Sequence, residues 1–152
     1  TLCCNIESMK NSIHKPCGFE LAEIASQDSN CNKRHVGASL EFWVNGILKC
    51  TIFDCNRHIK NHCECVKGAH DPIVQHAEIG VTKDLKNRSK HSRTIRGQEL
   101  ILRVTYQPCL NCAIELVKKG IHKVYFRDAK HEDESGINYL RKNKVKVFNQ
   151  WN

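Results

Sequence analysis

Apolar positions along this chain change their period, and the changes mark out the elements. Residues 18–29, GFELAEIASQDS, place Leu21, Ile24 and Ala25 on one face of a helix. Residues 36–44, VGASLEFWV, read as a strand, and residues 47–53, ILKCTIF, as its partner. Asn45-Gly46 between two apolar runs is the strongest short signal for a hairpin. One face of that hairpin must be buried, so at least one of Phe42 and Trp43 is expected in the core. Residues 55–75 carry no period and are expected to be irregular. A helix is predicted from about His76, with Ala77, Val81 and Leu85 spaced by four and Gly80 weakening it. LILRVTY, 100–106, is a strand. A helix follows Pro108, with Leu110, Ala113, Ile114 and Val117 on one face and Gly120 as its stop. A strand at 123–126, a short helix at 135–142 and a strand at 145–148 complete the chain. After the first helix and hairpin the order is helix, strand, helix, strand, helix, strand. That order implies an α/β fold, a mixed sheet with helices on its faces.

Composition narrows the class. A chain of 152 residues suits one domain over 1–152 around one core. Hydrophobic residues make up 40%, too many for a disordered chain. No apolar run is long enough to span a bilayer, so no membrane partner is expected. No basic-then-apolar leader is present, which points to the cytoplasm. The formal charge of +8 attracts anions: nucleotides, nucleic acid or acidic surfaces. Lys83, Lys86, Arg88, Lys90, Arg93 and Arg96 face only Asp84 and are expected to form a solvated loop and helix end. Ten cysteines and nine histidines, interspersed with acids, favour metal ligation and thiols over a disulfide framework.

The chemistry concentrates in two short stretches, QHAEIG at 75–80 and PCLNC at 108–112. Cys109 and Cys112, three apart at a predicted helix start, can turn both sulfurs toward one ion. The helix N-terminus favours their thiolate form, which is the form that binds zinc. His76, at another predicted helix start, would be the third ligand. Three protein ligands leave zinc one position for water, whose pKa falls towards neutrality there. A structural zinc site would have no use for Glu78. Two residues past the histidine, it can take a proton from that water and pass it to a ring nitrogen and a leaving amine. His-x-Glu followed by Pro-Cys-x-x-Cys is the signature of zinc nucleobase deaminases.

With these residues in place, the chain resembles the cytidine and deoxycytidylate deaminase superfamily over nearly its whole length, and phage or viral dCMP deaminases most of all. ASQDSNCNKRHVGASLE, 25–41, is similar to their first helix and strand, and GINYLRKNKVKVFN, 136–149, to their closing pair. The resemblance implies a three-layer α/β/α fold with a mixed five-stranded sheet. It also implies zinc-dependent hydrolysis of dCMP to dUMP with release of ammonia, dCTP being a further candidate substrate. The expected partners are a phosphorylated deoxycytidine nucleotide and further copies of the chain in a homo-oligomer. If the chain is viral, the compartment is the host cytoplasm. The alternative is a deaminase of cytidine or adenosine in single-stranded nucleic acid or tRNA, which the positive charge would suit. The chain departs from the family after His-Ala-Glu: Ile79, Gly80 and Val81 stand where Met-Asn-Ala is usual, which removes an amide.

Cys55, His58, His62, Cys63, Cys65 and His70 crowd one short stretch and suggest a second metal site. In similar dCMP deaminases a structural zinc takes ligands at places matched here by Cys31, Cys63 and His70. Val74 stands where those proteins have a glutamate ligand, and Cys65 is the candidate fourth ligand. Two zinc ions, one catalytic and one structural, are therefore expected. Cys3 and Cys4 are read as tail thiols and Cys50 as a core residue. His122 and His131 are expected at the surface. Tyr106 and Tyr125, at strand ends, are expected near a pocket mouth. Arg127 and Lys130, just past a strand end, are candidates to meet a phosphate.

Overall fold

The computed structural model describes residues 2–5, 18–59, 74–88, 96–130 and 132–149. The predicted hairpin forms as β2 (Gly37–Val44) and β3 (Ile47–Cys55), turning at Asn45 and Gly46, both at positive φ. β6 (Gln98–Tyr106) pairs antiparallel with β2, and β7 (Lys123–Asp128) and β8 (Lys146–Asn149) extend the sheet in parallel. These five strands are the mixed sheet the sequence predicts. A sixth, β1 (Leu2–Asn5), pairs antiparallel with the outer edge of β3, giving the order β1-β3-β2-β6-β7-β8. Cys3 and Cys4 thus lie in an edge strand rather than a tail.

Helices cover both faces. Residues 38, 40, 100, 102 and 104 turn one face of the sheet inward, and Ala38, Leu40, Leu100, Leu102 and Val104 are all fully buried. Against this face pack α2 (Ala77–Thr82), α3 (Leu110–Lys119) and α4 (Ser135–Lys142) through Val81, Leu116, Val117, Ile137 and Leu140. Each large aliphatic side chain buried here contributes about 1.5–3 kcal/mol. The opposite face carries α1 (Gly18–Ser26) and is more polar. There Arg103 bonds the buried Glu41 at 3.2 Å and lies over the rings of Tyr125 and Phe19.

Gly120 ends α3 in the left-handed conformation, φ 77°, as predicted. The buried face of α3 differs from the predicted one. It runs through Cys112, Ala113, Leu116 and Val117, while Leu110, in the first turn, is 39% exposed. Arg57–His58 (β4) and Val74–Gln75 (β5) pair as a separate two-stranded ribbon, so the ends of the expected irregular segment are regular. Residues 60–73 lie outside the described set. Among the described residues no helix is long and apolar enough to cross a membrane.

Candidate active site

The β4–β5 ribbon delivers the chain to His76, which sits at the N-cap of α2 with extended backbone, φ −72° and ψ 151°. The next residue, Ala77, has no exposure, and α2 lies close against β2 and β3. Closeness to β3 depends on Gly80. A Cβ there would come within 2.6 Å of the Asp54 carboxylate, which is itself buried and held by Arg57 and the Cys55 N–H. A side chain at position 80 would therefore have to displace the Asp54 carboxylate.

Gln107 and Pro108 follow the end of β6 at Tyr106, and Cys109 caps α3. Its sulfur accepts from the Cys112 N–H at 3.5 Å. The Cys109 and Cys112 sulfurs lie 3.7 and 3.2 Å from His76 Nδ1, and all three donor atoms fall within 4.8 Å of one another. A tetrahedral zinc would set such nitrogen–sulfur pairs about 3.5 Å apart, so the donors fit the ion. The structure thus brings together the three candidate ligands that the sequence singles out, His76, Cys109 and Cys112.

The acid–base state of the cluster has physical causes. Hydrogen bonding from Cys112 lowers the Cys109 thiol to about 4, with His76 and the Cys112 backbone N–H adding to the effect. The same bond, with burial, pushes Cys112 well above the usual thiol range. The Cys109 contact raises His76. A bound dication would hold all three donors deprotonated. Glu78 is 3% exposed, and burial lifts its carboxyl to about 7, against the opposing pull of His76. Its backbone carbonyl is held by the Thr82 hydroxyl at 2.7 Å.

A cleft of about 360 Å³ opens onto this cluster. His76, Glu78 and Cys109 line it, as do Lys33, Arg34, Tyr106 and Lys130. Arg34 lies over the Tyr106 ring, 3.8 Å from its centroid. Of the residues expected to face a ligand, Tyr106 and Lys130 do. Tyr125 does not line the cleft; it stacks on Phe148 at 4.9 Å. Arg127 is likewise elsewhere, paired with Glu23 and Asp128. His122 is half-buried, with Nδ1 accepting from the Leu100 N–H, and is not a surface residue.

Two buried amides at the cleft escape a reading of the sequence. Asn56 accepts from the Val36 N–H and the Ser29 hydroxyl and donates to the Arg34 carbonyl. It thereby fixes the segment that carries Lys33 and Arg34. Gln107 does the same for Asp128, Lys130 and Asp133. Of the expected second metal site, Cys31 is fully buried beside Ser29. Cys63, Cys65 and His70 lie outside the described residues.

No family model matches the chain. The deoxycytidylate deaminase of Saccharomyces cerevisiae is 25% identical over 140 residues, 81% of this chain, and the chain spans only 40% of that protein's length. The dCMP deaminase of cyanophage S-TIM5, in its apo form, is 26% identical with a TM-score of 0.59. The match covers 90% of this chain and all of the phage protein. The phage protein in complex with dCMP and dUMP gives a TM-score of 0.65 over the same coverage, at 24% identity. The protein NE0047 in complex with 2,6-diaminopurine shares the fold at 11% identity, over 95% of this chain and 80% of its own, with a TM-score of 0.55. Taken with the fold and the donor set, these likenesses place the chain in the cytidine deaminase-like superfamily.

Proposed function

We propose that the protein is a zinc-dependent hydrolase that converts dCMP to dUMP and ammonia. The observation that carries this is the position of Glu78, buried in the cleft beside His76 and Cys109. His76, Cys109 and Cys112 would hold zinc, which supplies an electrophile and makes water acidic enough to attack at neutral pH. Glu78 takes a proton from the attacking water as its oxygen bonds to C4 of the cytosine. It delivers that proton to the ring nitrogen, then takes the second proton from the hydroxyl now on C4 and passes it to the amino group, so the C–N bond breaks, the C4 carbonyl forms and ammonia leaves. Lys33, Arg34 and Lys130 give the mouth a positive charge suited to a phosphate. The cleft volume falls in the usual range for a small-molecule site. The yeast and phage relatives, the phage protein with dCMP and dUMP bound, support the choice of substrate.

A substrate panel tests this. The zinc-loaded protein is incubated with dCMP, dCTP, cytidine and single-stranded oligonucleotides, and loss of cytosine absorbance is followed. Turnover of dCMP, with slower or no turnover of oligonucleotides, is expected. Turnover of oligonucleotides alone would make it a polynucleotide deaminase, the alternative that the +8 charge suits. The structural zinc on Cys31, Cys63, Cys65 and His70 belongs to the same proposal; metal analysis is expected to give two equivalents per chain.

A further inference from the structure

Gln107 is buried, lies two residues before a metal-ligand candidate, and bonds one loop through its backbone N–H and both polar atoms of its side chain. Its backbone N–H donates to the Asp128 carbonyl at 2.9 Å. Its side-chain Oε1 accepts from the Lys130 N–H at 2.8 Å, and its Nε2 donates to the Asp133 carbonyl at 2.7 Å. Beyond the loop, Asp133 accepts from the Ser135 N–H and hydroxyl, which starts α4. The start of α4 then presses on the ligand segment itself. A Cβ on Gly136 would fall 2.3 Å from the Pro108 carbonyl and 2.9 Å from the Cys109 backbone. Asp128, Lys130, Asp133 and Gly136 are therefore each held against residues 107–109.

This loop brings Lys130 into the lining of the cleft. Its ammonium lies 3.9 Å from Asp133, and both side chains are about half exposed. Such a pair contributes little, so an anion can take the ammonium from it. Arg127, three residues earlier, is engaged by Glu23 and Asp128. Resting on the reading of the site as a nucleotide pocket, we propose that Lys130 contacts the substrate phosphate. We further propose that Gln107 is the positioning residue that holds Lys130 at the right distance from the reacting base. A preference for nucleotide over nucleoside would then depend on an amide that touches neither phosphate nor base.

The test is titration calorimetry on the zinc-loaded full chain with dUMP and with deoxyuridine. The wild type is expected to favour dUMP about ten-fold or more, the scale of a hydrogen bond to a charged group. Lys130→Ala and Gln107→Leu should each cut that preference about ten-fold with zinc content unchanged, and Lys130→Arg should restore it. Should Gln107→Leu fail to fold, Gln107→Asn, too short to span both loop groups, takes its place. An unbiased wild type, or either substitution leaving the preference intact, overturns the proposal. A structural role alone would weaken both ligands equally and leave the ratio unmoved, which also overturns it. Failure of the deaminase reading looks different: the dUMP preference would be present while dCMP absorbance never falls.

Discussion

Cys112 Sγ lies 3.2 Å from His76 Nδ1, although the two residues belong to different helices. The start of α2 and the first turn of α3 are therefore aimed at one point before any ion is considered. Replacing either residue removes one of three donors. His76→Ala or Cys112→Ser is expected to lose most of the zinc of this site on dialysis against a weak chelator, read by elemental analysis. Retention of full zinc content would mean that another group completes the site. Acidification should act in the same direction, because imidazole and thiolates must be deprotonated to bind. Zinc should be held at neutral pH and released as the pH falls.

Glu78 is predicted to serve the reaction and not the metal. Glu78→Gln keeps the size of the side chain and removes the base, so turnover should fall about 10²- to 10⁴-fold or more. Zinc content should stay at the wild-type level. A parallel loss of zinc would make Glu78 a ligand.

Asn56 satisfies three partners from inside the fold: the Val36 N–H, the Ser29 hydroxyl and the Arg34 carbonyl. Asn56→Ala leaves the partly buried Val36 N–H and Arg34 carbonyl without this partner, while the Ser29 hydroxyl keeps its bond to the residue 56 carbonyl. Each such loss costs about 1–3 kcal/mol. A drop in unfolding free energy of at least about 2 kcal/mol is expected from denaturant titration, with nucleotide affinity also reduced as Lys33 and Arg34 lose their support. A loss below about 0.5 kcal/mol, the size of an ordinary surface substitution, would show that the contacts are not structural.

Gly80 and Asp54 are predicted to be coupled. Gly80→Ala alone forces the Asp54 carboxylate aside and should cost about 1–3 kcal/mol, the usual scale of overpacking. In the Asp54→Ala background the same substitution should cost less, because the clash is gone. Equal costs in the two backgrounds would mean that α2 shifts instead.

The elements were legible wherever apolar period and punctuation agree. The Asn45-Gly46 turn, the Gly120 stop and helix 135–142 fall where the pattern puts them. The donor set was legible because local rules govern it: cysteines three apart at a helix start, a histidine at another, and an acid two residues on. Other features depend on partners distant in sequence. β1 is only four residues long, with no period to announce it, and exists by pairing with β3. Leu110 has the right spacing for burial, but α3 turns its face toward Ala113 and Leu116. The roles of Asn56 and Gln107 come from the loops they bind, which no local pattern reveals. Arg127 looked free to meet a phosphate until α1 brought Glu23 beside it.

The proposed reaction requires an open metal centre with three protein donors. Anomalous scattering at the zinc edge from a crystal of the protein measures that directly. The expected result is a zinc bound by His76 Nδ1 and the Cys109 and Cys112 sulfurs, with a solvent oxygen facing Glu78. A fourth protein side chain on that ion, or no zinc between those three donors, would contradict it.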